Sequence, residues 1–249
     1  MPSECPKRRQ LLGAAALCAS LPSLAVPARR KSLRIVTSEL PPLAMENSTR
    51  PGALLEMVNE LCRRLRLKPE VSFVPWKRAL YLTNGTRATT IFPLTRLPER
   101  EAQFRWLTQL YEEQYTFLAP RGRLFDVRHP QFMKDKRITL LRGSSLISVL
   151  REMGYRNIVE ARSIEELHRF LVKDMADATF AETSVIRDLV RKHRSEDDFD
   201  VGEPVRKTPA WLAGSLDFTD ADSALFQHAM KEMTADGTAT RILKSYAMS

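Results

Sequence analysis

The chain has 249 residues, of which 43% are hydrophobic and 28% are charged, and its formal net charge is +9. This length and composition are typical of a globular protein with one large or two smaller domains, and they exclude a low-complexity chain. The basic residues alternate with acidic ones and form no stripe interleaved with aromatic side chains, so we expect no nucleic-acid partner.

The first residues have the pattern of an export signal. A basic stretch at residues 7–9 precedes an apolar run at 11–21, which is too short to span a bilayer, and small residues lead up to Ala25. We predict a signal peptide over residues 1–28 and a mature protein in the periplasm, and both the general secretory and the twin-arginine routes fit the pattern. A buried core helix and, through Cys18, a lipid anchor are the alternative interpretations.

Cysteine and histidine usage limits the chemistry of the mature chain. Only Cys62 remains after removal of the signal peptide, so we expect no intramolecular disulfide. The four histidines are widely separated in sequence, and no Cys/His cluster has the spacing of metal ligands. We therefore expect no metal site and no cofactor.

Two stretches of the chain alternate between short strands and helices. In the first stretch the predicted strands are 33–37, 71–74 and 89–93, and the predicted helices are 53–65 and 76–83. After a strand at 115–119, the second stretch has predicted strands at 138–141, 157–160 and 178–181, with helices that end at residues 153, 172 and 192. This repeated order indicates two parallel sheets with right-handed crossover connections.

The C-terminal residues add a strand at 210–215 and two helices. These three elements cannot bury their own apolar surface, so we expect them to complete one of the preceding units. The predicted lobes are lobe 1, residues 29–120 plus 208–249, and lobe 2, residues 121–207. Two crossings between the lobes form a hinge, and the cleft beside a hinge is the expected place for a ligand.

Several motifs occur together in a specific order. They are Pro41-Pro42 after the first strand, the run from Pro75 to Ala79, the stretch FPLTRLPER at 92–100, and Ala235-Asp236-Gly237-Thr238. In this order they resemble the family 3 bacterial extracellular solute-binding proteins of the polar amino-acid type, over essentially the whole mature chain. The resemblance implies an α/β, two-lobed type II periplasmic-binding fold, in which each lobe is a mainly parallel sheet flanked by helices.

The resemblance assigns a carboxylate-binding role to the 92–100 stretch. It implies that Arg100 grips the carboxylate of the ligand and that Thr95 adds a hydroxyl donor. A guanidinium suits this role because it presents a fixed fork of donors to both carboxylate oxygens. An ion pair with Glu99 or Glu101 is the alternative interpretation of Arg100.

The second lobe supplies the remaining polar contacts. Ser144 and Ser145 precede a predicted helix, whose first N–H groups favour an anion, and the family uses the second hydroxyl, here Ser145, for the same carboxylate. Glu182 occupies the position of a family acid, usually aspartate, that pairs with the ammonium of the ligand. The alternatives are a plain N-cap for Ser145 and a favourable helix-dipole position for Glu182.

Two further residues concern the walls of the cleft. Trp76 is expected either to form an apolar or cation–π wall or to be a core residue at a strand-to-helix junction. Leu43 stands where the family often has an aromatic residue that stacks on the ligand, and residues 86–89 lack the acid that relatives usually carry. These departures predict a divergent member, whose ligand need not be a standard amino acid.

The leading hypothesis is a binding protein. We expect an exported monomer that captures a small carboxylate-bearing solute, such as an amino acid, by hinge closure and delivers it to the permease of an ABC-type transporter. A dehydratase-like enzyme on the same fold is the alternative, although the sequence shows no Ser-His-Asp or Cys-His arrangement and no phosphate-binding loop. A sensory or accessory binding protein is a third reading.

Overall fold

A computed structural model of the protein describes residues 31–46 and 48–248. The predicted signal peptide, residues 1–28, and Cys18 lie outside the described residues. In the part of the chain that is described, no helix is long and apolar enough to cross a membrane.

The first stretch of the chain forms the alternating elements that its sequence predicts. They are β1 (Ser32–Thr37), α1 (Ala53–Leu65), β2 (Lys68–Phe73), α2 (Trp76–Gly85), β3 (Thr89–Thr95) and β4 (Arg105–Pro120), with a short 3-10 turn at Pro98–Arg100. Strand β1 pairs in parallel with both β2 and β3, as expected. Helix α1 has the predicted bounds because Leu54, Val58 and Leu61 recur at helical spacing and are fully buried.

The second stretch repeats this order. Its elements are β5 (Ile138–Leu141), α3 (Leu146–Glu152), β6 (Ile158–Ala161), α4 (Ile164–Val172), β7 (Ala178–Glu182), α5 (Thr183–Lys192) and β8 (Phe199–Val201). Strand β5 pairs in parallel with β6 and with β7. Ser163 caps α4 by accepting the backbone N–H of Glu166 at 3.2 Å.

The chain ends with β9 (Arg206–Gly214), α6 (Asp220–Ala235) and α7 (Thr238–Ser245). Strand β9 pairs antiparallel with β3 and β4, and α6 and α7 pack against α1. The final helix begins at Thr238, directly after Gly237. The backbone of Gly237 has a φ of 75°, which ends the preceding helix and frees Thr238 to begin the next.

The nine strands form one sheet in the order β2-β1-β3-β9-β4-β7-β5-β6, with β8 paired to β4. Strands β4 and β9 lie at its centre, and the chain passes from the first group of strands to the second through them. At Tyr115, β4 ends its pairing with β9, opposite Arg206, and begins to pair with β7, opposite Glu182. The exact lobe boundaries remain a prediction.

The length of β4 is the main error of the sequence-based prediction. The sequence predicts a strand at 115–119, whereas β4 has 16 residues and begins at Arg105. Residues 105–114 were missed because Gln109, Glu112 and Glu113 interrupt the apolar pattern. The short strand β8 was missed as well, since it is three residues long and two of them are exposed.

The apolar core is continuous between the two groups of strands. Leu43, which follows β1, belongs to the same buried cluster as Ile164 and Leu167 of α4 and Val185 of α5. The cleft between the groups is therefore closed over by apolar contacts. Burial of this kind contributes about 1.5–3 kcal/mol for each large aliphatic side chain.

Cys62 is a packing residue of this core. It is fully buried in α1, and burial raises the pKa of its thiol to about 12. The thiol is therefore neutral at physiological pH and behaves as a small apolar group. Among the described residues, no group of three or more His, Cys, Asp or Glu side chains is arranged to hold a metal ion.

Candidate ligand-binding site

A small cavity of about 80 Å³ lies where the two groups of strands meet. It is lined by all seven of the site residues that the sequence predicts, namely Leu43, Trp76, Thr95, Arg100, Ser144, Ser145 and Glu182. These residues come from both groups of strands and are up to 139 positions apart in sequence, so only the fold brings them together. Their roles toward a ligand remain proposals.

Arg100 is a buried cation without an acidic partner in the described chain. It ends the turn Pro98–Arg100, its side chain is largely withdrawn from solvent, and its Nη1 donates to the carbonyl oxygen of Thr95 at 3.3 Å. Glu101 pairs with Arg96 instead. Burial lowers the pKa of Arg100, yet a guanidinium stays protonated in proteins, so a charge with unused donors faces the cavity.

Glu113 of β4 is a cavity-lining acid that the sequence did not reveal as a site residue. It is 3% exposed, and the hydroxyl of Tyr115 donates to its Oε2 at 2.7 Å. Burial raises the pKa of Glu113 to about 8, and the charge of Glu182 adds to the rise, while hydrogen bonds from Tyr115 and Thr95 oppose it. The carboxyl therefore holds a proton at neutral pH when no cation lies beside it.

Glu182 combines both roles considered for it. It is the N-cap of α5, where its Oε2 accepts the backbone N–H groups of Ser184 at 2.7 Å and Val185 at 3.0 Å, and also the hydroxyl of Ser184. The same carboxyl lines the cavity. Burial raises its pKa, and these capping bonds oppose the rise while fixing its orientation.

The two serines before α3 differ in their bonding. The hydroxyl of Ser144 accepts the backbone N–H of Leu146 at 3.2 Å, whereas the Ser145 side chain makes no capping hydrogen bond. Gly143 precedes them with a φ of 80°, and a Cβ at this position would lie 3.3 Å from the Cβ of Lys77 in α2. The serines are thus held at a close approach between the two groups of strands.

Most of the remaining lining is apolar. The larger side chains are Leu40, Leu43, Trp76, Leu141, Leu146, Ile164, Leu167, Phe180 and Val185. Trp76 also packs in a buried cluster with Val36 and Ile91, so it is a wall residue and a core residue at once. Within this lining, Arg100, Glu113 and Glu182 are the charged residue types.

A signal for Glu113 was present in the sequence. Tyr111, Glu113 and Tyr115 alternate with Glu112 and Gln114, as expected for a strand with one buried face. Extending the predicted strand toward its N-terminus would have placed Glu113 on that face. The apolar lining residues of α4 are harder to assign, because their role depends on how closely the two groups approach.

Protonation of Glu113 predicts a pH-dependent stability. The folded pKa of about 8 lies above the ordinary value of 4.5, so the folded state keeps a proton that the unfolded state releases between these pH values. The free energy of unfolding of the ligand-free protein should therefore fall as the pH rises from 5 to 8, on the order of 2 kcal/mol. Urea denaturation at both pH values measures this change.

Two variants test whether Glu113 causes this fall, which is called the slope of the free energy of unfolding with pH. Glu113→Gln should reduce the fall, leaving the part that Glu182 contributes. Glu112→Gln removes an exposed acid from the adjacent position and should keep the full slope. Equal slopes in the wild type and Glu113→Gln would contradict the assignment.

The fold and the cavity define a two-lobed α/β solute-binding protein of the periplasmic type. The chain belongs to the bacterial extracellular solute-binding proteins, family 3, whose family model matches residues 33–249. This membership confirms the family predicted from the motifs, and it places the chain among binding proteins rather than enzymes. No curated protein matches the sequence.

Solved structures confirm the fold class. A mutant of the arginine-binding protein ArgBP from T. maritima is similar with a TM-score of 0.77 and 14% identity, covering 87% of this chain and 95% of that one. The amino acid ABC transporter substrate-binding protein AbpA from Streptococcus pneumoniae, bound to L-arginine, has a TM-score of 0.76 and 13% identity, covering 87% and 94%. A histidine kinase sensor domain similar to periplasmic binding proteins has a TM-score of 0.79 and 14% identity, covering 88% and 96%.

Proposed function

We propose that the protein binds a small carboxylate-bearing solute, an amino acid, in the cavity between its lobes. The observation that carries this proposal is Arg100, a buried guanidinium that lines the cavity and has no acidic partner in the described chain. A buried charge of this kind is costly unless it is paired. A ligand carboxylate supplies the missing partner through two parallel hydrogen bonds.

The other polar lining residues complete a site for a zwitterion. The hydroxyls of Thr95 and Ser145 add donors for the carboxylate, and the Glu182 carboxyl accepts from the ammonium group. Because Thr95 belongs to the first group of strands and Ser145 and Glu182 to the second, a ligand contacts both lobes. This arrangement favours hinge closure through β4 and β9 when the solute binds.

Export and delivery belong to the same proposal. The family match begins at residue 33, with four residues between it and the predicted signal peptide of residues 1–28, which supports a mature periplasmic protein. AbpA is by its description the substrate-binding protein of an amino acid ABC transporter. We propose that this chain acts as a monomer and hands its solute to the permease of such a transporter.

A thermal-shift screen tests the binding proposal. The purified protein is heated with each of the standard L-amino acids and with small carboxylates at millimolar concentration. We expect at least one L-amino acid to raise the melting temperature, because a ligand at 100 times its Kd stabilises the folded state by about 2.7 kcal/mol. The methyl ester of the same amino acid lacks the carboxylate charge and should give no shift. The absence of any shift across the panel would contradict the proposal.

A further inference from the structure

We propose that this site selects a zwitterionic amino acid with an uncharged, apolar side chain, and that Glu113 holds its ammonium group together with Glu182. The inference rests on the proposed function, because it takes the pairing of Arg100 with the ligand carboxylate as given. It adds a second acidic contact, supplied by β4, and a chemical class for the ligand.

The hydrogen bonds and strand register place Glu113 at the polar end of the cavity. Tyr115 donates to the Glu113 carboxyl and lies opposite Glu182 in the β4–β7 ladder. Thr95 interacts with the same carboxyl through its hydroxyl and with Arg100 through its carbonyl oxygen. Glu113 is therefore linked through Thr95 to Arg100, which is the proposed carboxylate-binding residue. It is linked through Tyr115 to the strand position opposite Glu182.

Two buried acids beside each other can hold a cation between them. Neither Glu113 nor Glu182 forms an ion pair within the described chain, and each is almost completely buried. Like charges at this proximity disfavour simultaneous ionisation, which is part of the reason that Glu113 holds a proton when no cation lies beside it. An ammonium group has three N–H donors and can bond to both carboxyl groups at once.

Entry of the ammonium group has a chemical consequence. A cation beside Glu113 favours its ionised form, so its O–H bond breaks, the carboxylate stays with the ammonium, and the proton passes to the solvent. The titratable groups near Glu113 include Glu182, whose charge opposes this ionisation, and Tyr115, whose hydroxyl donates to the carboxyl. Tyr111 of the same strand, whose pKa burial and the charges of Glu182 and Glu113 raise, and Arg100 in the same lining complete this set in the described chain. Binding should therefore release protons near neutral pH.

The apolar lining of the cavity determines the class of side chain. Leu43, Ile164 and Leu167 line the cavity and belong to one continuous buried cluster, and no charged residue type lines it besides Arg100, Glu113 and Glu182. A guanidinium or second ammonium placed against this lining would be buried without a partner, which is strongly unfavourable.

Calorimetric titration of the wild-type protein tests the ligand class. The probes are L-valine, L-leucine and L-methionine, with L-arginine as the cationic competitor and isocaproate as leucine without its ammonium group. We expect the tightest apolar amino acid to bind at least about 10-fold more tightly than L-arginine, and L-leucine to bind at least about 10-fold more tightly than isocaproate. Tighter binding of L-arginine than of all three apolar amino acids would overturn the proposed class.

The variant Glu113→Gln tests the second acidic contact. We expect it to weaken L-leucine binding by about 10-fold or more and to change isocaproate binding little, because isocaproate has no ammonium group. In the wild type, the binding enthalpy near pH 7 should differ between phosphate and Tris buffers, which reveals proton release, and this difference should shrink in Glu113→Gln to the part that Glu182 contributes. The matched control Glu112→Gln, at an exposed position of the same strand, should behave as the wild type.

The possible failures are distinguishable. Unchanged L-leucine affinity in Glu113→Gln overturns the role of Glu113 but leaves the carboxylate site of Arg100 intact. Loss of both L-leucine and isocaproate binding would indicate a misfolded variant, and Tyr115→Phe then decides the question, since it keeps the acid but removes its hydrogen bond. Tyr115→Phe should lower L-leucine affinity and keep isocaproate affinity; unchanged L-leucine affinity there overturns the proposal.

Discussion

Replacement of Arg100 by alanine is expected to weaken binding of the cognate amino acid by at least about 100-fold. The guanidinium is buried, and the described chain gives it one side-chain hydrogen bond, to the carbonyl oxygen of Thr95. Removing one partner of a buried charge pair costs about 2–5 kcal/mol, because the ligand carboxylate is then desolvated without compensation. Isothermal titration calorimetry of Arg100→Ala against the wild type measures the loss.

Arg100→Ala should weaken ligand binding without destabilising the ligand-free protein. An unpaired buried charge destabilises the ligand-free protein, so the ligand-free Arg100→Ala variant should melt no lower than the wild type. Arg87→Ala removes an exposed arginine that does not line the cavity, and it should preserve both affinity and stability. Retained affinity in Arg100→Ala, or a large loss of stability without a loss of affinity, would contradict the binding role.

Substitution of Gly52 by alanine is expected to destabilise the protein by roughly 3 kcal/mol or more. Gly52 precedes α1 with a φ of 96°, and a Cβ at this position would lie 2.7 Å from the backbone of Ala44 and of Leu43. The clash involves backbone atoms of Leu43 and Ala44, so a side-chain rotation cannot relieve it. The free energy of unfolding in urea measures the effect.

The segment that contains Leu43 and Ala44, which a Cβ at Gly52 would displace, also caps the start of α1. The carbonyl oxygen of Pro42 accepts the N–H of Ala53 at 2.8 Å, and the carbonyl oxygen of Leu43 accepts those of Leu54 at 2.9 Å and Leu55 at 3.2 Å. These bonds satisfy N–H groups that a helix cannot pair internally. Because Leu43 lines the cavity, Gly52→Ala should also weaken ligand binding.

Gly85 provides a matched control for this prediction. It is the last residue of α2, and a Cβ built there meets no atom within 4 Å. Gly85→Ala should therefore change stability little or increase it slightly, by reducing the freedom of the unfolded chain. Equal stabilities of Gly52→Ala and Gly85→Ala would contradict the assigned constraint at Gly52.

Local patterns were sufficient for most of the fold. Helix α1 follows from the spacing of Leu54, Val58 and Leu61, and the start of α4 follows from Ser163 and Glu166. The first half of β4 could not be predicted in this way, because its apolar residues are interrupted by acids and amides. Its stability as a strand comes from long-range pairing with β9, which no local pattern encodes.

The candidate site likewise contains residues that the sequence identifies and residues that only the fold brings into place. Arg100 and Thr95 lie in one short motif, and Glu182 follows a recognisable strand, so their proximity was a reasonable expectation from the family pattern. The contribution of Glu113 depends on the position of β4 between β9 and β7, and that of Leu167 depends on the approach of α4 to Leu43. Both depend on tertiary packing, which a single sequence does not display.

The change of pairing at Tyr115 has a mechanical consequence. When two bodies rotate about a common axis, points near that axis move least. Strand β4 passes between the two groups of strands at Tyr115, which is two residues beyond Glu113. In the proposed binding mode, a ligand group held by Glu113 lies close to the pivot and exerts little torque on either lobe. We therefore expect closure to depend on the apolar cluster that Leu43 shares with Ile164, and capture of the ligand and closure of the lobes to be separable steps.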